Sequence, residues 1–302
     1  MKINHTLSRA LLAACLAFPA VMTAHAEAAA PPMHAQPSDP ILTLRVDGGI
    51  VVARDGSLVS YTRATELPAT IAAKVDAQVK QWKFNVADFP ATANQARARM
   101  RITLAAEPQG AEAYAVRIDN VTFPGGTGQT KVGTQHDFDD VSIKVKKLGG
   151  VRYPESMRNS SVEAIVLLQM RLDASGDVVD VLATQTSLLN VRGTPNELGK
   201  AIAAFEKVTD RGARQWRFDV TSKGPAPTSD DLTVNVPVMF SFKTPEKAGV
   251  WRSEVRSPKR PAPWLSQDAL VAAPGVSDIA DGEVLTSSSA VRLATSVNGR
   301  LL

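Results

Sequence analysis

The chain is poor in the residues from which most active sites are built. It has one cysteine, Cys15, four histidines, and only 5% aromatic residues among 302. A lone cysteine closes no intramolecular disulfide and builds no thiolate metal site. No G-x-S-x-G or H-E-x-x-H pattern occurs, and no nucleophile, base and acid assemble from a visible motif, so a non-enzymatic protein is expected. His136 with Asp137, Asp139 and Asp140 combines nitrogen and oxygen groups of the kind that hold a divalent ion, but such a polar run reads as a solvated loop. The acidic stretch from Asp173 to Asp177 lacks the glycine and terminal glutamate of a calcium loop and reads as a hairpin turn. Gly125, Gly126 and Gly128 are followed by no GK[ST] and read as a plain loop. Neither metal nor cofactor is expected.

Long apolar runs are also missing. The longest, Ala10 to Val21, is broken by Pro19 and falls short of the roughly 20 residues that span a bilayer. Preceded by Lys2 and Arg9 and followed by Ala24-His25-Ala26, it reads as a cleavable signal peptide over residues 1–26, giving a periplasmic protein that starts at Glu27. The competing reading is a lipobox at Leu12 to Cys15, with Cys15 lipidated. Removing Lys2 and Arg9 leaves 32 basic residues against 30 acidic ones, a net charge of +2 that argues against nucleic acid as a partner.

What is present is a repeat. Gln81-Trp82-Lys83-Phe84-Asn85-Val86 returns as Gln215-Trp216-Arg217-Phe218-Asp219-Val220. In each copy the Trp closes a run of apolar residues at helical spacing, and the following Phe and Val alternate as in a strand, so a helix gives way to an extended run. Trp82 and Trp216 are read as core residues. The expected fold class is α+β, with two small units, each an antiparallel sheet backed by a helix.

The first unit, residues 41–124, opens with Leu42, Leu44 and Val46 in alternation. Gly48-Gly49 and Asp55-Gly56 are expected turns, and a helix is expected over residues 69–82 behind Pro68. Residues 27–40 read as a flexible lead-in and 125–140 as a linker. In the second unit, residues 141–245, Ala164 to Asp173 alternates into a Ser175-Gly176 turn and a second strand. Thr194, Pro195 and Glu197 form a capping-box start for the helix that ends at Trp216. Pro237 in the last strand predicts a sheet edge or a bulge. Residues 246–302 read as a basic, Pro-containing linker and disordered tail, with residues 251–264, including Trp251 and Trp264, a possible peripheral contact to the envelope.

The second unit resembles the TonB C-terminal domain family over residues 148–243. The likeness rests on Tyr153-Pro154 as entry motif, the hairpin of residues 164–181, the helix end at Gln215 to Phe218, and the V-x-V-P-V-x-F-x-F strand from Val234 to Phe242. The first unit looks like a diverged copy without the Tyr-Pro entry. The resemblance implies a three-stranded antiparallel sheet backed by helices that takes a segment of an outer-membrane receptor as an added strand beside its last one. The implied partner-binding residues are Val234, Val236, Val238, Phe240, Ser241 and Phe242; Tyr153, Pro154, Trp82, Phe84, Trp216 and Phe218 are the structural motif. An uncleaved membrane helix with a Ser-x-x-x-His pattern and a long Pro-rich rod, which energy transducers of that family carry, are not read here. The expectation is therefore partner binding by strand addition, with an envelope structural or adaptor role as the alternative. In that alternative the edge is covered by the chain's own tail or by a second copy.

Overall fold

A computed structural model describes residues 39–86, 94–110, 113–124, 131–132, 136–137, 141–223, 226–242, 247–280, 282–287 and 291–302. The leader, Cys15, His34, Asp139, Asp140 and most of the expected linker lie outside them, and His136 and Asp137 are described by backbone alone.

The first repeat contains β1 (Ile41–Ala53), β2 (Leu58–Arg63), α1 (Ala69–Val79), β3 (Phe84–Val86), β4 (Gln95–Pro108) and β5 (Tyr114–Thr122). Short β6 (Lys131–Val132) and β7 (His136–Asp137) follow. The second repeat has β8 (Val141–Lys147), a 3₁₀ turn (Glu155–Ser160), β9 (Glu163–Leu172), β10 (Val178–Leu189), α2 (Pro195–Ala213), β11 (Arg217–Ser222) and β12 (Thr233–Phe240). Beyond it lie β13 (Arg252–Arg256), α3 (Gln267–Ala272), β14 (Leu285–Thr286) and β15 (Val291–Leu293). The described strand pairs are antiparallel and the helices few, which makes the fold α+β.

The repeat is visible atom by atom. Gly56 and Gly176 sit at positive φ, +79° and +86°, in turns where Asp55 and Asp173 each accept from the serine two residues on. The Phe84 amide donates to the Gly56 carbonyl and the Phe218 amide to the Gly176 carbonyl, both at 2.9 Å. A Cβ on either glycine would fall on the carbonyl oxygen of that same Phe, so only glycine fits both the turn and the close approach. Each helix packs on its own β-hairpin and following strand. Trp82 and Phe84 join Leu44, Val46, Met100 and Ile102 in one core, and Trp216 and Phe218 join Val166, Leu168, Phe205 and Val236 in the other. Tyr153 donates to the Val162 carbonyl at 2.6 Å and meets the Phe205 ring edge-on at 5.4 Å, while Pro154 caps the 3₁₀ turn.

α2 begins as read, with the complete Thr194–Glu197 capping box and Pro195 in the first turn. Both helices are shorter than read: α1 ends at Val79 and α2 at Ala213, and turns through Lys80 and Gln81 and through Arg214 and Gln215 deliver Trp82 and Trp216.

Three expectations are corrected. Gly48-Gly49 is no turn: β1 runs straight through it because β4 pairs with it continuously from Leu42 to Ala53, and Gly48 lets the Thr62 carbonyl approach a position where a Cβ would lie 2.8 Å away. The two units do not have separate principal sheets. β13 pairs with Ile41 to Thr43 of β1 and with Ser187 to Leu189 of β10, joining both hairpins in a sheet of order β14-β12-β9-β10-β13-β1-β4-β6-β7, with β2 also on β1 and β5 also on β4. Third, the described residues beyond 246 are not a disordered tail. They supply β13, α3, β14 and β15, the last completing a two-stranded pair with β3 as β8 does with β11. Composition misleads here because this segment's charges are satisfied inside the fold, so it needs few large apolar residues of its own.

Candidate partner-binding edge

β12 lies antiparallel to β9, with Thr233 opposite Arg171 and Phe240 opposite Ala164. The Leu172 amide donates to Leu232, whereas the Ser287 amide donates to the Thr233 carbonyl at 2.9 Å. Even-numbered residues therefore turn their backbone groups toward β9 and odd-numbered ones outward, because these alternate along a strand. Pro237 is odd. Its missing N–H would have pointed away from β9, so the ladder loses nothing, and the sheet-edge reading of this proline agrees with its register.

The six residues named for partner binding divide by side-chain direction. Val234, Val236 and Phe240 are buried against α2, and half-buried Val238 packs on the same core. Their side chains hold the fold and present nothing to solvent. The Ser241 hydroxyl and the Phe242 amide both donate to Glu163 Oε1, at 2.6 and 2.9 Å. The Phe242 ring is 64% exposed and lies 5.3 Å from Tyr153. It alone among the six offers a large apolar surface to a partner.

The outer side of β12 is partly taken. β14 pairs Thr286 with Val234 and Leu285 with Asn235, and the Asn235 side chain donates to Ser287 Oγ at 3.0 Å. Past Asn235 no described strand covers this side. The outward groups left within β12 are the carbonyl of Pro237 and the N–H and carbonyl of Met239.

The sheet face away from the helices is covered by the chain's end. Val276, Ile279 and Leu285 pack on Ile165 and Leu167. Over the first repeat the contact is polar: Arg101, 1% exposed, reaches Asp47 and Glu283, each at 2.6 Å, and the Asp278 carbonyl at 2.8 Å. Burial works against the Arg101 cation, but Glu283 and Asp47 outweigh it and hold the guanidinium protonated. Arg256 bonds Asp119 at 2.6 Å. Burial pushes the Asp119 carboxyl up, yet Arg256 and Arg117 together keep it below the usual carboxylate range. These carboxylates are already engaged by cations, so their chemistry here is that of a latch between strands and tail.

In the basic segment expected to touch the envelope, the tryptophans and arginines are engaged within the fold, while Pro258, Lys259, Pro261 and Pro263 are exposed. Trp251 packs on the first core, Trp264 Nε1 donates to Thr233 Oγ1 at 3.1 Å, and Arg260 pairs with Glu206 at 2.7 Å. Lys259 stays exposed and donates to the Ala273 carbonyl. The sequence reading missed β13, β14 and the Arg101 cluster. The one signal for β13 was the alternation of Ser253 and Val255 with charged neighbours; two-residue β14 had none.

Among the described residues no group of three or more His, Cys, Asp or Glu side chains is placed to hold a metal ion, and no helix is long and apolar enough to cross a membrane. Comparison with family models, curated proteins and solved structures returns no match to the chain.

Proposed function

We propose that this chain is a non-enzymatic periplasmic protein, similar to the TonB C-terminal domain over residues 148–243, that binds a partner protein by strand addition beside the C-terminal half of β12. The observation that carries the reading is the end of β14 cover at Asn235, past which no described strand covers the outward groups of Pro237 and Met239, with the exposed Phe242 ring just beyond the strand's end. Unpaired backbone groups there supply affinity, and Phe242 supplies selectivity. The site is short and lacks a donor at Pro237, so it suits a transient partner, with an outer-membrane receptor segment as the proposed class. The second reading, a structural envelope protein, is favoured by β14 itself, which shows the same edge serving the chain's own tail.

A photoreactive phenylalanine at position 242, activated in living cells, tests the choice. Adducts with an outer-membrane receptor support strand capture linked to transport; adducts only with its own chain, or none, favour the structural reading. Leu285→Pro, which removes a β14 donor, is expected to raise the yield of partner adducts if β14 competes for the edge. A mature N-terminus at Glu27 supports the periplasmic assignment, and a lipid on Cys15 would replace it with membrane anchoring.

A further inference from the structure

A second edge without a described partner strand lies in the first repeat and is independent of β12. β2 pairs with β1 along one side. The Ala64 amide donates to the Asp47 carbonyl at 2.8 Å, which sets the alternation: Ser60, Thr62 and Ala64 turn their backbone groups toward β1, and Tyr61 and Arg63 turn theirs away. No described strand takes the outward N–H and carbonyl groups of Tyr61 and Arg63. Two residues thus present two donors and two acceptors in register.

The edge does not face open water alone. Together with Asp76 and Lys80 of α1 it bounds a groove of about 560 Å³. Behind the groove wall, the Tyr61 hydroxyl is shut off from solvent and has no hydrogen-bond partner. Burial, with the charge of Asp76 second, pushes this phenol up to about 12, so it remains a donor at neutral pH.

The surroundings are basic. Arg63 is tied to Asp76 at 3.3 Å and to the Thr65 carbonyl at 2.6 Å, which neutralises the groove's one acid, while Lys80 is exposed. On the other face of the same strands, Arg97 and Arg99, the latter paired with Glu283 at 3.6 Å, rim a shallower cleft beside Ser60 and Thr62. The second repeat shows that a hairpin of this kind accepts an extended segment: the chain's own residues donate from Ser257 to Thr186 and from Arg260 to Thr184, both at 2.8 Å, along the outer side of β10.

We propose that the edge of β2 and the facing side of α1 form a docking groove for an extended acidic segment of a partner protein, which adds as a strand to Tyr61 and Arg63. Backbone pairing supplies the affinity, and the exposed Lys80 and Arg97 favour acidic side chains.

The probes are two fluorescein-labelled octapeptides, one alternating Glu and Val and the other Lys and Val, titrated into the full chain by fluorescence anisotropy. The acidic peptide is expected to bind at least about tenfold tighter than the basic one and to weaken as salt is raised. Arg63→Pro should abolish binding, because it removes an outward donor while the donors facing β1 stay in place. Leu285→Pro, at the other edge, should change nothing. In the unaltered protein, hydrogen exchange should show the Tyr61 and Arg63 amides unprotected alone and protected with the acidic peptide. Protection already present in the free chain would mean that a segment of its own fills the groove and would overturn the proposal. So would equal affinity for both peptides, or no binding of either.

Discussion

The two repeats agree on one face of the sheet and differ on the other. Toward the helices both are apolar, with Met100 and Ile102 in β4 and Val234 and Val236 in β12 doing the same work against α1 and α2. On the far face the pair Arg101 and Asp47 of the first repeat occupies the place held by Pro237 and Leu167 in the second, since both are cross-strand partners at matching distance from their turns. The end of the chain follows this difference. It lays Asp278 and Glu283 on the polar half and Val276, Ile279 and Leu285 on the apolar half. A duplicated hairpin-helix device therefore fixes only one face; the other is free to diverge, and in diverging it decides how the tail docks.

The sharpest way to break this contrast is at Arg101. Arg101→Ala leaves Asp47 and Glu283 without their buried partner and is expected to cost about 3–5 kcal/mol in urea unfolding. A loss below about 1 kcal/mol would mean that the polar half of the tail contact is not holding the fold. Next come the shared turns: Gly176→Ala and Gly56→Ala combine a left-handed conformation with a carbonyl clash, for an expected loss of about 3 kcal/mol each. Similar losses would establish the turn as common to both repeats, and unequal ones would confine it to one.

The tryptophans should separate the copies. Trp216 Nε1 donates to the Gly149 carbonyl at 2.9 Å, while the buried Trp82 Nε1 has no partner. Trp216→Phe leaves that carbonyl unpaired, so it should destabilise by about 1 kcal/mol more than Trp82→Phe. The smallest effect concerns pH. Because the Asp119 carboxyl is held below its ordinary value of 3.8, its contribution is present above that value and is lost as pH falls through the depressed one. Thermal unfolding between pH 5 and pH 2 (the window about the ordinary carboxylate pKa) should fall less steeply in Asp119→Asn than in the unaltered chain.

Local patterns were legible where a local interaction makes them. The capping box of Thr194 and Glu197, the glycine turns and the Trp that closes each helical run could all be read, because each depends on neighbours a few residues away. Gly48-Gly49 misled because the same dipeptide serves a turn or a close approach between strands, and only β4 beside it decides which. At the candidate edge, the alternation of β12 was readable, but its buried valines were taken for contacts. Period two marks both faces of a strand without saying which one meets a helix.

By itself the sequence determined the duplicated hairpin-helix-strand order, the α+β class, the proline at an edge position and the aromatic anchors of two cores. Turn geometry, capping and side-chain period act over a few residues, so they are written locally. Only the tertiary structure decided that the two halves share one sheet through β13, that the charged end of the chain is folded rather than solvated, and that β14 stops at Asn235. Those outcomes depend on which buried charge finds its counterpart, as Arg101 does with Glu283 from 182 positions away. Separation along the chain carries no sign of such a pairing; the low-dielectric contact that rewards it exists only after folding.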